Sequence, residues 1–277
     1  MSCGSIALLP TPPHTDAFLL QSPRAHLLSV YEHCRNHSRS SSRLPRQFAA
    51  WLGHFEARHR SSRARARHRA DALMEDFGCG MNPINLQTRA LTCELYRGAM
   101  QNWSATPDEA SQTELDETIR MAVLRLRSAA WVGIVELFHE SWCLLQHRLG
   151  GDAAARLPCY CDCGSPLYGH RSLSDTYARE PARPTDVRAL PKATLSMADT
   201  LTTSDHVVYR AGVERVLSEL RAMELSTGMR VICDGRLESI RNGTKYVQGL
   251  GAALSNWPGH VGSQSAVDLR YNCSAQS

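Results

Sequence analysis

Residues 17 to 31 read AFLLQSPRAHLLSVY, and this stretch decides the predicted fold. The apolar run Ala17–Leu20 stops at Gln21, Ser22 and Pro23, as a buried strand does when it enters a turn. Beyond Pro23 the apolar residues recur at helical spacing, so the sequence predicts a strand, a turn and the start of a helix. Phosphate groups bind at such turns in α/β proteins, because unpaired amides of the first helical turn point towards the ligand.

Strands and helices also follow one another further along the chain. Helix boundaries are marked by favourable residues, such as Pro107 at a first helical position and Gly150 after a helix end. The order of elements predicts an α/β fold in which helices flank a parallel sheet. The predicted elements are a helix from Thr106 to about Ser128, a strand over 130–135, a helix over 137–149, a helix over 204–228 and a strand over 229–233.

Composition excludes some classes of protein. With 277 residues and 43% hydrophobic content, the chain can form one large domain or two small ones. No apolar stretch approaches the roughly 18 to 20 residues of a membrane span, so we expect no transmembrane helix. Residues 1–15 lack the basic and apolar regions of a signal peptide and are expected to form a loose lead-in.

Arginine dominates the basic residues. Of 31 basic side chains, Lys192 and Lys245 are the lysines and the other 29 are arginines. Guanidinium groups suit phosphate and sulfate, but an arginine-favouring genome explains the same excess. Six arginines fall within residues 58–69, which predicts a solvated helix or a disordered insertion. A non-enzymatic polyanion-binding protein acting through this segment is the alternative function, and an ordinary charged surface is the simpler explanation.

Cysteine content and glycosylation motifs indicate an oxidising compartment. The ten cysteines are not arranged as paired CxxC units, which argues against a zinc ribbon. In Cys159–Cys163, CYCDC, the one-residue spacing suits disulfides better than a tetrahedral zinc site, so no metal is predicted. We expect a secretory-pathway lumen, although the chain shows no targeting segment. Asn-x-Ser/Thr sequons begin at Asn36, Asn102, Asn242 and Asn272.

Three segments, taken in order, resemble the Golgi-type carbohydrate sulfotransferases, the group that contains the heparan sulfate 2-O- and galactose 3-O-sulfotransferases and their algal and oomycete relatives. Residues 20–34, LQSPRAHLLSVYEHC, are similar to the family pattern L-R-x-P-x-x-x-x-x-S-x-Y. Residues 85–91, NLQTRAL, are similar to N-x-Q-T-R-x-L. Residues 130–145, AWVGIVELFHESWCLL, are similar to F-V-G-L-T-E-R-F-D-E-S-L-x-L-L. The resemblance spans roughly residues 16–233 and implies a P-loop-like parallel sheet.

The resemblance also implies a cofactor and a site for it. The family uses 3'-phosphoadenosine 5'-phosphosulfate as sulfuryl donor and binds its 3'-phosphate at the first of these segments. Ser29 stands at the family serine, whereas Gln21 stands where the family has arginine, so Arg24 is the candidate to supply the missing charge. Arg179 and Arg183 are further candidates, because the corresponding family loop closes over the donor phosphates. The simpler explanation is that both residues are ordinary surface arginines.

No catalytic base is assigned. In the family, a loop that cradles the 5'-phosphosulfate, and then the base, precede the 3'-phosphate segment. Here residues 1–15 contain no such loop, and His14 lacks the sequence context of a base. The resemblance therefore leads us to expect an α/β domain that is incomplete at its N-terminus, and a chain that is inactive or an incomplete gene product.

Two polar groups allow more than one interpretation. Residues 87–89, QTR, lie either near the cofactor or in the structural core, with Arg89 paired to a carboxylate such as Glu94. Glu136 and Glu140 are one helical turn apart and have the spacing of an acid–base pair. Acids at a helix N-terminus and on an exposed face are the simpler explanation of these two residues.

The sequence as a whole predicts an α/β domain over residues 16–248 and a poorly ordered tail over 249–277. The resemblance implies that the function is transfer of a sulfuryl group from 3'-phosphoadenosine 5'-phosphosulfate to a carbohydrate hydroxyl. The expected partner is then a glycan acceptor rather than nucleic acid, and the expected compartment of the full-length protein is the Golgi lumen.

Overall fold

The computed structural model describes residues 16–37, 44–62, 83–92, 112–150, 159–165, 187–244 and 247. The described residues are mostly helical, with a small parallel sheet of two strands. The chain divides into two compact units. Unit 1 comprises Met1–Asp16, Leu20–Ala130 and Thr185–Ala211, and unit 2 comprises Ala17–Leu19, Trp131–Pro184 and Gly212–Ser277.

The regular elements are numbered here in chain order. The strands are β1 (Ala17–Leu20) and β2 (Trp131–Ile134). The helices are α1 (Pro23–His37), α2 (Phe48–Ser62), α3 (Leu86–Leu91), α4 (Gln112–Ser128), α5 (Phe138–Leu149), α6 (Lys192–Leu201), α7 (Thr203–Thr227) and α8 (Asp234–Gly243). Short 3-10 turns lie at Val135–Leu137, Cys159–Cys161 and Val187–Ala189.

Apolar side chains of α1, α2, α3 and α6 form the core of unit 1. Pro23 starts α1, because its fixed backbone angle suits the first helical position, where an amide would have no helical partner. Tyr31 packs against Phe48 and Trp51 of α2, with ring centroids 5.4 and 5.6 Å away. Its hydroxyl donates a hydrogen bond to the carbonyl of Pro45 at 2.9 Å. Other buried members include Leu27, Leu28, Cys34, Leu52, Phe55, Leu86 and Leu201.

The two-stranded sheet of unit 2 is fixed by its contact with α5. A Cβ atom at Gly133 would come within 2.5 Å of the Trp131 ring, so the close approach of this ring requires glycine. The Trp131 indole N–H donates to the carbonyl of Ser141 at 3.2 Å. The Ser141 hydroxyl in turn accepts the N–H of Ile134 at 2.9 Å, which ties the end of β2 to α5.

Two disulfides cross-link the described part of unit 2. Cys143 of α5 is bonded to Cys161, and Cys163 is bonded to Cys233, the residue immediately before α8. The prediction that the Cys159–Cys163 segment forms disulfides is therefore confirmed for its second and third cysteines. Disulfide formation is consistent with a protein of the secretory pathway.

Most predicted elements in the described ranges are confirmed. Strand β1, the start of α1, strand β2, helix α5 and helix α7 lie within two residues of their predicted bounds. The helix predicted from Thr106 is described from Gln112 and ends at Ser128, as expected. Its predicted start, the lead-in over 1–15 and the tail over 249–277 lie outside the described residues. So does most of the arginine-rich segment, of which the backbone of residues 58–62 continues α2.

The strand predicted over residues 229–233 is wrong. Val231 and Ile232 are buried, as expected, but their amides donate to the carboxylate of Glu224 at 2.7 and 2.9 Å. The carbonyl of Arg230 accepts the amide of Cys163 at 2.7 Å. Because a side chain and a loop satisfy these backbone groups, the segment is buried without a neighbouring strand.

Three helices that the structure contains were not predicted, apart from the part of α2 that lies in the arginine-rich segment 58–69. Helices α2 and α6 were not predicted, and the sequence beyond Asp234 appeared too rich in glycine and serine for the helix α8. None of the described helices is both long enough and apolar enough to cross a membrane.

Candidate functional site

Helix α3 holds the turn between β1 and α1 in place. The side-chain amide of Gln87 accepts a hydrogen bond from the Gln21 N–H at 3.0 Å and donates one to the Gln21 carbonyl at 2.9 Å. Gln87 is 7% exposed, so this contact is largely shielded from water. One side chain thus satisfies both backbone polar groups of Gln21, and it joins the segments 20–34 and 85–91.

A buried carboxylate caps α3. Asp205, near the start of α7, accepts hydrogen bonds at 2.7 Å from both the N–H and the hydroxyl of Thr88. Its other oxygen accepts the N–H of Gln87 at 3.3 Å. Burial raises the pKa of Asp205 from 3.8 to about 6, although the bonds from Thr88 and Gln87 favour the charged form. The residue that clamps the turn is therefore itself anchored by Asp205.

The position of the start of α3 also depends on Asn85, the residue directly before this helix. Its backbone is left-handed, with φ 46° and ψ 43°, a conformation that asparagine tolerates better than most residues. Its side-chain oxygen accepts the N–H of Ser204 at 2.9 Å, and its own N–H donates to the carbonyl of Leu201 at 2.9 Å. Asn85 thus ties the start of α3 to the junction between α6 and α7.

Arg24, the second residue of α1, has an internal anionic partner. Its Nε and Nη2 donate to the two carboxylate oxygens of Asp199 at 2.7 and 2.6 Å. His206 Nε2 lies 3.6 Å from the same carboxylate. Partial burial tends to raise the pKa of Asp199, but hydrogen bonds and charges from Arg24 and His206 outweigh it, and the pKa is lowered. Any anion that contacts Arg24 therefore competes with Asp199.

The predicted cofactor-binding residues are only partly brought together. Ser29 is exposed on α1. It follows Arg24 by five residues, which is about 140° around the helix axis, so the two side chains leave α1 from different faces. Arg179 and Arg183 lie outside the described residues, and so does His14.

Glu140 of α5 is not the exposed acid of the simpler explanation, and Glu136 lies half-buried in the 3-10 turn before α5. Glu140 has no exposed surface, and its carboxylate accepts a hydrogen bond from Arg236 Nε at 3.0 Å. Arg236 also donates to the backbone carbonyl of Glu136 at 3.0 Å. The prediction for Glu140 is wrong because its partner lies on α8, a helix without a sequence signal. Glu140 has the environment of a structural charge rather than of an acid–base catalyst.

The acids that organise the turn were not predicted from the sequence. Asp205 was noted only within a helix start, Ser204-Asp205, yet its carboxylate caps α3 rather than its own helix. Asp199 and His206 were not marked by any local pattern. Asp199 pairs with Arg24, 175 positions away, and His206 contacts Asp199 from a separate helix. Arg89, the last member of the polar segment 87–89, is buried in α3, and Glu94 lies outside the described residues.

The turn before α1 is hydrogen-bonded to α3, and α1 carries an ion-paired arginine and, on a different face, an exposed serine hydroxyl. Such groups suit an anionic oxygen ligand. No family model, curated protein or solved structure matches this chain.

Proposed function

We propose that the turn between β1 and α1 binds the 3'-phosphate of 3'-phosphoadenosine 5'-phosphosulfate, and that the protein is a Golgi-type carbohydrate sulfotransferase with a P-loop-like core. The clamp between Gln87 and Gln21 is the observation that supports this proposal. It joins residues 66 positions apart, and each belongs to a segment that resembles the family. Two segments that each resemble the family are therefore hydrogen-bonded to each other at this turn.

The chemistry of the turn fits a phosphate dianion. The amides at the start of α1 carry the partial positive charge of the helix, and the hydroxyl of Ser29 can donate to a phosphate oxygen. Arg24 leaves α1 from a different face than Ser29 and stays paired with Asp199, so the helix amides and Ser29 make the direct contacts to the phosphate. These residues bind and orient the nucleotide.

The reaction proposed is sulfuryl transfer to a carbohydrate hydroxyl. The bound nucleotide supplies the sulfuryl group, and a base removes the proton of the acceptor hydroxyl as its oxygen attacks sulfur. Cationic groups offset the charge that develops on the leaving phosphate. The disulfides of unit 2 support a lumenal compartment such as the Golgi, where glycan acceptors are found.

The test is calorimetric binding of adenosine 3',5'-bisphosphate and of adenosine 5'-monophosphate, which lacks the 3'-phosphate. We expect the bisphosphate to bind more tightly. Ser29→Ala removes one hydrogen bond to a charged phosphate, worth about 1.5 to 3 kcal/mol, and is expected to weaken bisphosphate binding by about tenfold or more. Its effect on the monophosphate should be small.

Ser218→Ala is the matched control, because Ser218 is also an exposed serine within a helix, α7. This variant should bind both nucleotides as the unaltered chain does. Equal affinity for the two nucleotides, or equal behaviour of the Ser29 and Ser218 variants, would contradict the proposed 3'-phosphate site.

A further inference from the structure

The two disulfides in the described part of unit 2 differ in their exposure to solvent. Cys143 and Cys161 have no exposed surface, whereas Cys163 and Cys233 are half-buried. A single residue, Asp162, separates the two disulfides along the chain. Thiol–disulfide exchange requires a thiolate to reach a disulfide sulfur, so access controls its rate. The Cys163–Cys233 bond is therefore the one that a reductant reaches first.

This accessible disulfide lies next to a buried ion pair. Cys233 directly precedes α8, and its carbonyl accepts the N–H of Arg236 at 2.9 Å. The Arg236 guanidinium then reaches Glu140, which has no exposed surface, at 3.0 Å. A buried carboxylate that loses its cation is strongly destabilised. The first turn of α8 therefore has to stay in place for Arg236 to neutralise the buried carboxylate of Glu140.

Different contacts hold the residues just before Cys233. The carboxylate of Glu224 accepts the amides of Val231 and Ile232, and the carbonyl of Arg230 accepts the amide of Cys163. The Cys163 sulfur lies 3.5 Å from the Val231 carbonyl, but the hydrogen bonds of these amides do not involve the disulfide sulfurs. Loss of the disulfide therefore affects α8 more than it affects residues 230–232.

We propose that the Cys163–Cys233 disulfide is a reductant-sensitive lock that keeps Arg236 of α8 against the buried carboxylate of Glu140. A dithiol opens it: one thiolate attacks a sulfur of the bond and forms a mixed disulfide, and the second thiol of the reductant displaces the protein sulfur. Cys163 and Cys233 become thiols, and the reductant becomes a cyclic disulfide. Two electrons and two protons pass to the protein, while Cys143–Cys161 stays oxidised.

The order of opening is tested on the full chain at one fixed concentration of dithiothreitol, with alkylation by N-ethylmaleimide at successive times and peptide mass spectrometry. We expect Cys163 and Cys233 to be alkylated about tenfold faster than Cys143 and Cys161, because access limits the rate of exchange. Opening of the buried pair at the same or a higher rate would overturn the proposal.

The consequence for α8 is tested by hydrogen–deuterium exchange of the selectively reduced protein. Reduction should speed amide exchange within Asp234–Gly243 severalfold and leave residues 230–232 largely unchanged. In Glu140→Gln, opening of α8 leaves no buried charge unpaired, so reduction should raise exchange in α8 more than in the unaltered chain.

Glu238→Gln is the control for this measurement, because it removes an exposed acid of the same helix. Its response to reduction should equal that of the unaltered chain. Cys163→Ser/Cys233→Ser provides an independent version of the open state and should show the same pattern without reductant. Unchanged exchange in α8 after reduction, or an equal or smaller increase in Glu140→Gln, would refute the role assigned to the disulfide.

Discussion

Asp205, which is buried, and His26, which is half-buried, are ionisable residues of unit 1 that respond to acid in opposite ways. Burial raises the pKa of Asp205 from 3.8 to about 6, and burial lowers the pKa of His26 from 6.5 to about 4. Between pH 4 and pH 6 the folded chain carries a proton on Asp205 and none on the His26 ring nitrogen that titrates, whereas the unfolded chain carries it on His26 and not on Asp205. The titration of Asp205 therefore raises the free energy of unfolding as the pH falls through 6. The titration of His26 lowers the free energy of unfolding as the pH falls below 6.5.

Single substitutions should separate these two opposing effects. In Asp205→Asn, the remaining His26 should make stability fall between pH 6.5 and 4, by up to about 1.4 kcal/mol per pH unit. In His26→Gln, Asp205 should make stability rise as the pH falls through 6. Urea unfolding at a series of pH values measures both slopes. Parallel pH profiles for the two variants would show that these groups do not titrate as their burial requires.

A second residue-scale prediction concerns Gln21, which stands where the resembling family has arginine. Its backbone is held by Gln87, so replacing its side chain leaves the clamp intact. A charged hydrogen bond is worth about 1.5 to 3 kcal/mol against roughly 1 for a neutral one, so Gln21→Arg should tighten binding of adenosine 3',5'-bisphosphate about tenfold.

The gain from Gln21→Arg should vanish with adenosine 5'-monophosphate and shrink at high salt, as expected for a phosphate contact. Calorimetric titration of both nucleotides at two salt concentrations measures this. If the variant binds both nucleotides equally, or neither, the turn is not a 3'-phosphate site.

At the scale of elements, the clamp between α3 and the turn makes its own prediction. Gln87→Leu leaves the N–H and carbonyl of Gln21 without their partners, and each unsatisfied buried group costs about 1 to 3 kcal/mol. We therefore expect the free energy of unfolding to fall by about 3 kcal/mol. Gln47→Leu is the control, because Gln47 is exposed and should change stability by less than about 0.5 kcal/mol. Equal unfolding midpoints for these variants would show that the clamp is not a stabilising contact.

The sequence predicted elements well where boundaries depend on neighbouring residues. Pro23 and Gly150 mark helix ends through their own backbone chemistry, and β1, β2 and α5 follow from local apolar patterns. Prediction failed where a distant group decides the outcome. Residues 229–233 have the pattern of a strand, but Glu224 satisfies their amides, so no strand forms.

The candidate site could be predicted from sequence only in part, for the same reason. The strand–turn–helix is local and was found. The groups that fix it, Gln87, Asp205 and Asp199, act across 66 to 175 residues, and no local pattern marks such contacts. Glu140 was misjudged for this reason as well, because its cation lies 96 residues away on α8.

At the scale of the whole molecule, covalent cross-links supplement the packing of each unit. The Cys163–Cys233 bond spans 70 residues and the Cys143–Cys161 bond spans 18. In the chain-entropy model these separations correspond to about 4 and about 3 kcal/mol of stabilisation. Cys34 in the core of unit 1 is also disulfide-bonded. Disulfides therefore contribute to both units, which favours maturation in an oxidising lumen.

The redox state of the purified chain tests this compartment assignment. The bonds at Cys34, Cys143 and Cys163 together engage six of the ten cysteines, so at most four can be free. Thiol titration of protein from its native source, denatured without reductant, should therefore find few free thiols. Titration after reduction should find all ten and serves as the control. If nearly all ten are free before reduction, the protein matures in a reducing compartment, and the lumenal assignment fails together with the proposed Golgi location.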